Sequence, residues 1–363
     1  MPIDDQGLTA ADPAVPEPGQ FHPVAVRPLH IRLLRYLPTL LLLGLAVHLI
    51  LPQIASLQHS AAVIRQMIWW LVGLATLAQV ASYLGSGYLI QSLVSMTGES
   101  LSFIRSIFIT LSAYSVGLVA GGMVGNSASA FRWLKQGGVS PQSASIASTL
   151  PALINNLLLL SLALFGVIHL FLVHELTALE EIAFALILFV DGTIVLLLVW
   201  GIGHPDGLTR LIDRLTARWH KIRHQDHDPQ RAQDFVDQIL NTWIALRKGG
   251  WRGPTLGILL NTGFDLLTIY LLFMAAGHRV TFGLLLTGYG LPLLLGKVGF
   301  LPGGVGIVEG TMVALYTGLG VPAATAVVVV LAYRVLSFWI PTLLGFPLVP
   351  FLERSGRKKL IEH

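Results

Sequence analysis

Apolar residues run through this chain in blocks close to the thickness of a bilayer, and the polar residues between them alternate in sign. Six blocks, at 37–57, 67–88, 147–173, 182–202, 254–276 and 322–351, approach the roughly 20 residues a helix needs to cross the hydrocarbon core. Two further apolar stretches, 106–124 and 282–320, are broken by glycine. Arg27, Arg32 and Arg35 precede the first block, Glu175, Glu180 and Glu181 follow the third, and nine Lys and Arg residues occupy 204–252. Cytoplasmic loops carry the excess of Lys and Arg. If 106–124 crossed the membrane, the basic loop would face outward and the acidic loop inward. A dip and return over 106–145 keeps both signs in order, and a second one over 282–321 is required for the same reason. The pattern therefore predicts about six full spans plus two re-entrant hairpins, with both termini cytoplasmic.

Composition agrees with an all-α polytopic membrane protein. The 363 residues are 54% hydrophobic and 12% charged, whereas soluble domains carry about 25% charged residues. There is no cysteine, which removes disulfides, thiolate metal sites and thiol nucleophiles. The expected organisation is a disordered tail over 1–28, a first membrane repeat over 29–203, a cytoplasmic loop over 204–252, a second repeat over 253–352 and a basic tail over 353–363. Within the loop, Leu208, Leu211, Leu215, Trp219 and Ile222 recur at helical spacing opposite Arg210, Arg214 and Arg218. That is the pattern of a helix lying on an anionic leaflet or packed on its neighbour.

The two broken stretches also resemble each other. At a constant offset of 182, Val116-Gly117 aligns with Val298-Gly299, Gly121-Gly122 with Gly303-Gly304, and Gly138-Val139 with Gly320-Val321; Trp69 and Trp251, and Tyr88 and Tyr270, keep the same offset. One hairpin is expected to enter from the inside and the other from the outside. Together these predict an inverted-topology repeat, with the hairpin tips near the midplane, where irregular backbone is tolerated only inside protein or beside a cavity.

Candidate chemistry gathers at the second hairpin and the helix after it. Lys297 and Glu309 bracket Pro302, Gly303, Gly304 and Gly306, and Arg334 stands alone in a later apolar run. Charges at membrane depth are costly and mark functional sites unless they only pair with one another. Glycine lets backbone N–H groups approach an anion, and Lys297, Arg334 and Arg132 can neutralise a phosphate. Gly121, Gly122 and Asn126 are the counterparts in the first hairpin. Asp191 and Asp265 are lone intramembrane acids, read as proton-coupling candidates or as protonated or paired structural groups. His220, His224 and His227 close a solvated loop before Pro229 and do not make a metal site. No metal, cofactor or nucleotide loop is expected, and no catalytic set stands out, so the chain is not read as an enzyme.

Leu-Pro-Gly-Gly-Val-Gly-Ile-Val-Glu at 301–309, Gly-Val-Pro at 320–322 and Arg334 eight residues before Thr342 resemble the lysylphosphatidylglycerol synthase transmembrane family, as a stand-alone member without the soluble synthase domain. The resemblance covers about residues 30–352. It implies lipid translocation between leaflets, with Pro302, Gly303, Gly304, Gly306, Glu309, Arg334 and Arg132 carried over. The first hairpin departs from the family pattern, with Ala120-Gly121-Gly122 and Gly125-Asn126 where a Pro and a Gly-Glu pair are common. Three readings stand: a flippase or transporter for a phospholipid or isoprenoid-type lipid in a bacterial inner membrane, a proton-coupled small-solute transporter, and an accessory scaffold for a lipid-modifying enzyme. Expected partners are membrane lipids with anionic headgroups; a homo-oligomer and a lipid-biosynthetic enzyme are further candidates, and nucleic acid is not.

Overall fold

The computed structural model describes residues 57–119, 122–173, 203–223, 250–298 and 302–361, with isolated positions between 185 and 201 and between 233 and 244. These residues belong to one compact unit, Leu45–His363. The expected span 37–57 lies almost wholly outside the described residues, 182–202 is described only at scattered positions, and Gly121 and Asp191 lie outside them.

Among the described residues all regular structure is helical. In chain order the elements are α1 (Leu57–Gln66), α2 (Trp69–Met96), α3 (Phe103–Val119), α4 (Met123–Gln136), α5 (Pro141–Val173), α6 (Pro205–Arg223), α7 (Arg252–Ala275), α8 (Phe282–Val298), α9 (Ile307–Gly318), α10 (Ala323–Arg334) and α11 (Ile340–Ile361). A 3-10 turn, Pro302–Gly304, precedes α9, and a π-helical segment, Val335–Trp339, joins α10 to α11. Among the described residues three helical stretches are long and apolar enough to cross a membrane: Pro141–Gly166, Arg252–Ala275 and Ala323–Arg354. A fourth counts if α1 and α2, bent by 91° at residues 67–68, form one span. At that bend the Ile68 N–H donates to Ala275 O at the end of α7 (2.9 Å).

The surface of α2 shows what its environment must be. Trp69, Trp70, Leu74, Leu77, Val80 and Leu84 are exposed, while Ala75, Ala78, Ser82 and Gly85 are buried. Large apolar groups outside and small or polar ones inside reverse the order of a soluble helix and suit lipid, where small residues let backbones approach. The buried stripe packs on α7. A Cβ on Gly85 would sit 2.6 Å from Asn261 N, and one on Gly257 would sit 2.8 Å from Leu89 Cα. Asn261 Nδ2 donates to Ser82 O (3.1 Å), and Ser82 Oγ donates to Asn261 O (2.9 Å). The contacts 68–275, 75–268, 82–261 and 89–257 run in opposite order along the two helices, so α2 and α7 are antiparallel.

The glycine-broken stretches form two pairs of short helices, α3 with α4 and α8 with α9. Gly122 and Gly304, at the 182-residue offset, both have positive φ, 66° and 64°. The turns that end α4 and α9 match bond for bond. Gly138 N–H donates to Lys135 O and Val139 N–H to Leu134 O; Gly320 N–H donates to Thr317 O and Val321 N–H to Tyr316 O. Each is a Schellman turn around a glycine at φ 92°. Packing then crosses between the halves: α3 lies on α11, and α8 lies on α5. A Cβ on Gly345 would lie 2.2 Å from Leu111 O, so α11 seats against α3 at backbone distance.

Candidate functional site

Arg334 ends α10, and the π-helical segment begins at the next residue. Its Nε donates to Glu309 Oε1 (2.6 Å), and Nη2 donates to Gly303 O (2.9 Å). Its guanidinium lies 4.4 Å from the centre of the Phe338 ring, a cation–π geometry. Glu309 sits in the first turn of α9, and its Oε2 accepts the Gly306 N–H (2.6 Å). The carboxylate thus caps the helix N-terminus and receives the arginine at once. Arg334 and Glu309 are both buried. Gly303 is required here twice over: its φ is 69°, and a Cβ would reach 2.2 Å from the Phe338 ring.

Beside this clamp lies a polar cavity of about 160 Å³, lined from α2, α3, α5, α7, α8, α10 and α11. Arg334 and Lys297 supply positive charge and Asp265 negative charge to its wall. Asp265 Oδ2 accepts hydrogen bonds from the hydroxyls of Tyr289 (2.6 Å) and Tyr333 (2.8 Å). Lys297 Nζ donates to Asn156 Oδ1 (2.5 Å). Tyr83 and Tyr114 meet edge to face across the cavity wall, and the Tyr83 hydroxyl donates to Ser337 O within the π-helical segment. A larger, shallower cleft beside α6 is lined by Trp200, Leu211, Arg210 and Arg214 and lacks this convergence of helices.

Of the residues singled out in the sequence, Arg334, Lys297 and Asp265 meet at the cavity, with Glu309, Gly303 and Gly306 directly behind Arg334. Pro302 and Gly304 shape the turn that holds Gly303. Three others are elsewhere. Arg132, on α4, is exposed and pairs with Glu353 at 3.3 Å. Gly122 begins α4, and its carbonyl accepts the Asn126 N–H; neither residue lines the cavity. Gln79 and the tyrosines were not legible as site residues. The available signals were Gln79 inside an apolar block and Tyr333 next to Arg334.

Comparison with known proteins bears on this arrangement. The profile of a family described as the lysylphosphatidylglycerol synthase TM region matches residues 35–345. The chain belongs to that family. The chain is also similar to UPF0104 membrane proteins of archaea: 36% identical over 117 residues to one from Pyrococcus horikoshii, covering 32% of this chain and 34% of that protein. A second, from Methanothermobacter thermautotrophicus, is 29% identical over 98 residues, 27% of this chain and 29% of the relative. A third, from Methanocaldococcus jannaschii, is 23% identical over 167 residues, 45% and 49% of the two chains. The matches therefore span between about a third and a half of these relatives. The protein is a membrane protein, and the clamp and cavity lie within the matched region.

Proposed function

We propose that this protein binds the phosphate of a membrane lipid headgroup in the cavity and moves it between leaflets. The observation that carries the reading is the meeting of Arg334 and Lys297 in a polar cavity enclosed by lipid-facing helices. A volume of about 160 Å³ equals roughly five waters at ~30 Å³ each. It accepts a phosphate-sized group while acyl chains stay outside in the lipid. Arg334 offers a planar donor set suited to phosphate oxygens, and Lys297 adds a second charge. The paired short helices, their matching turns and the exchanged packing of α3 and α8 support an inverted repeat of six spans and two re-entrant hairpins. In that arrangement both termini face the cytoplasm and α6 lies along the leaflet surface. Family membership supports a lipid-handling role and a non-catalytic core.

Proteoliposomes carrying a fluorescent phosphatidylglycerol test this. Lys297→Ala should lower leaflet transfer by about tenfold or more, the loss of a charge-assisted phosphate contact, while eluting as the wild type does; Arg334→Ala should lower it at least as far and also loosen the Glu309 clamp. A phosphate-free diacylglycerol probe should cross at the protein-free rate or show no dependence on either residue. Unchanged phosphatidylglycerol transfer in both variants sinks the proposal. Asp265 favours a second reading, proton-coupled transport of a small anion; transfer of inorganic phosphate but no lipid would establish it.

A further inference from the structure

Arg334 is matched in charge by Glu309, whereas Asp265 has no such match. Its direct partners are two tyrosine hydroxyls and the Gln79 side-chain amide, and no Lys or Arg forms an ion pair with it among the described residues. A carboxylate at membrane depth with only neutral donors is costly to keep ionised, and a proton removes the charge at the site itself. Both hydroxyls donate to Oδ2. A second observation comes from Gln79, whose side-chain amide hydrogen-bonds Asp265 in the cavity wall. Gln79 is 4% exposed, and its Oε1 is a buried acceptor without a hydrogen-bond partner among the described residues. An amide can donate to an ionised carboxylate and, turned over, accept from a protonated one. A metal ion suits the site poorly. Hard cations take six or more oxygens, Oδ2 already receives two O–H groups, and no cluster of three or more acidic, His or Cys ligands occurs among the described residues.

We propose that Asp265 is a proton-binding site whose occupancy is linked to that of an anion at Arg334 and Lys297 in the same cavity. The step is the addition of one solvent proton to the carboxylate, Asp–COO⁻ to Asp–COOH, as the anion enters. The charged and titratable groups that face it are Tyr83, Tyr114, Tyr289, Lys297, Tyr333 and Arg334. Two negative charges in one low-dielectric cavity repel, so the anion favours the protonated carboxyl and the proton favours the anion, each by the same factor, on the order of tenfold. Tyr333 and Arg334 are consecutive on α10, so the residue that bonds Asp265 adjoins the residue that holds the Gly303 turn. The net cargo is then an anion with its proton. This rests on the lipid reading only for the identity of the anion.

Proton uptake by the full-length protein in weakly buffered detergent tests it, with short-chain phosphatidylglycerol and inorganic phosphate as separate probes, scanned from about pH 5 to 9. The expected result is uptake approaching one proton per chain at some pH when a probe binds, lost in Asp265→Asn while the probe still binds. Should that variant not fold, Tyr289→Phe and Tyr333→Phe supply the measurement, since each removes one hydroxyl donor and must move the pH of greatest uptake. Uptake with phosphate but not with the lipid overturns the lipid reading and leaves the proton site standing. No uptake with either probe, uptake that survives Asp265→Asn, or unmoved pH profiles in both tyrosine variants overturns the proton site.

Discussion

Arg334 distributes two of its nitrogens between Glu309 and the Gly303 carbonyl and stacks its flat face on Phe338. An ammonium cannot reproduce this, so Arg334→Lys is expected to weaken the clamp even though charge is kept. Breaking a buried pair from one side typically costs about 3–5 kcal/mol. Glu309→Gln and Arg334→Gln should each lower the detergent unfolding temperature, and the double variant should lose much less than the sum of the two. At the loop after α2, Glu99 accepts from Ser140 N–H, Ser140 Oγ and Ser143 Oγ (2.8, 2.5 and 2.5 Å). These bonds, those of Ser140 first, hold its carboxyl below the ordinary value. A lowered carboxyl gives stability that is complete above the unfolded value and is lost as pH falls through the folded one. The stability difference between wild type and Glu99→Gln should therefore shrink on acidification below about pH 4.5, the ordinary carboxylate range, and stay constant above it. Among residues, Arg334, Lys297 and Asp265 were legible because charge in an apolar run is conspicuous. Gln79 and the four cavity tyrosines were not, since amphipathic side chains fit many membrane positions and only packing brings these to one wall.

Among the elements, α2 and α7 have the least tolerance. Gly85 meets the backbone of α7 closer than any Cβ permits, and overpacking usually costs about 1–3 kcal/mol. Gly85→Ala is expected to destabilise by that amount in reversible unfolding, while Gly73→Ala, where nothing lies within 4 Å, should be nearly silent. The broken stretches could be read as helix pairs from their glycines, their shared 182-residue spacing and the order of charge along the chain. The 91° bend between α1 and α2 could not: residues 67–68 carry no proline or glycine, and the bend depends on Ile68 reaching the end of α7. The π-helical segment was hidden for a similar reason. It places Arg334, Ser337 and Phe338 together on the cavity, and no local composition announces the extra residue in its turn.

For the whole molecule, orientation is the open measurement, and a chain without cysteine suits it. In the proposed inverted repeat, single cysteines at Ser100 and Gln142 should react with a membrane-impermeant thiol reagent from one side. Those at Thr281 and Ala323 should react from the other. All four labelling from one side would refute the inversion. The Arg132–Glu353 pair is exposed, and such pairs contribute about 0–1 kcal/mol, so Arg132→Ala should leave unfolding almost unchanged. The exchanged packing also bears on how the protein is made. Helix α3, with Ser106, Thr110, Ser112 and Ser115 on its buried side, rests on α11, which the ribosome delivers more than 200 residues later. Ser115 Oγ donates to Thr342 O across that interval (2.6 Å). Until α11 arrives, a nascent chain holds this serine face in lipid or in the grip of an insertion factor. Biogenesis should therefore be more sensitive than the finished protein to truncation after α9, and to factors that shelter half-made membrane chains.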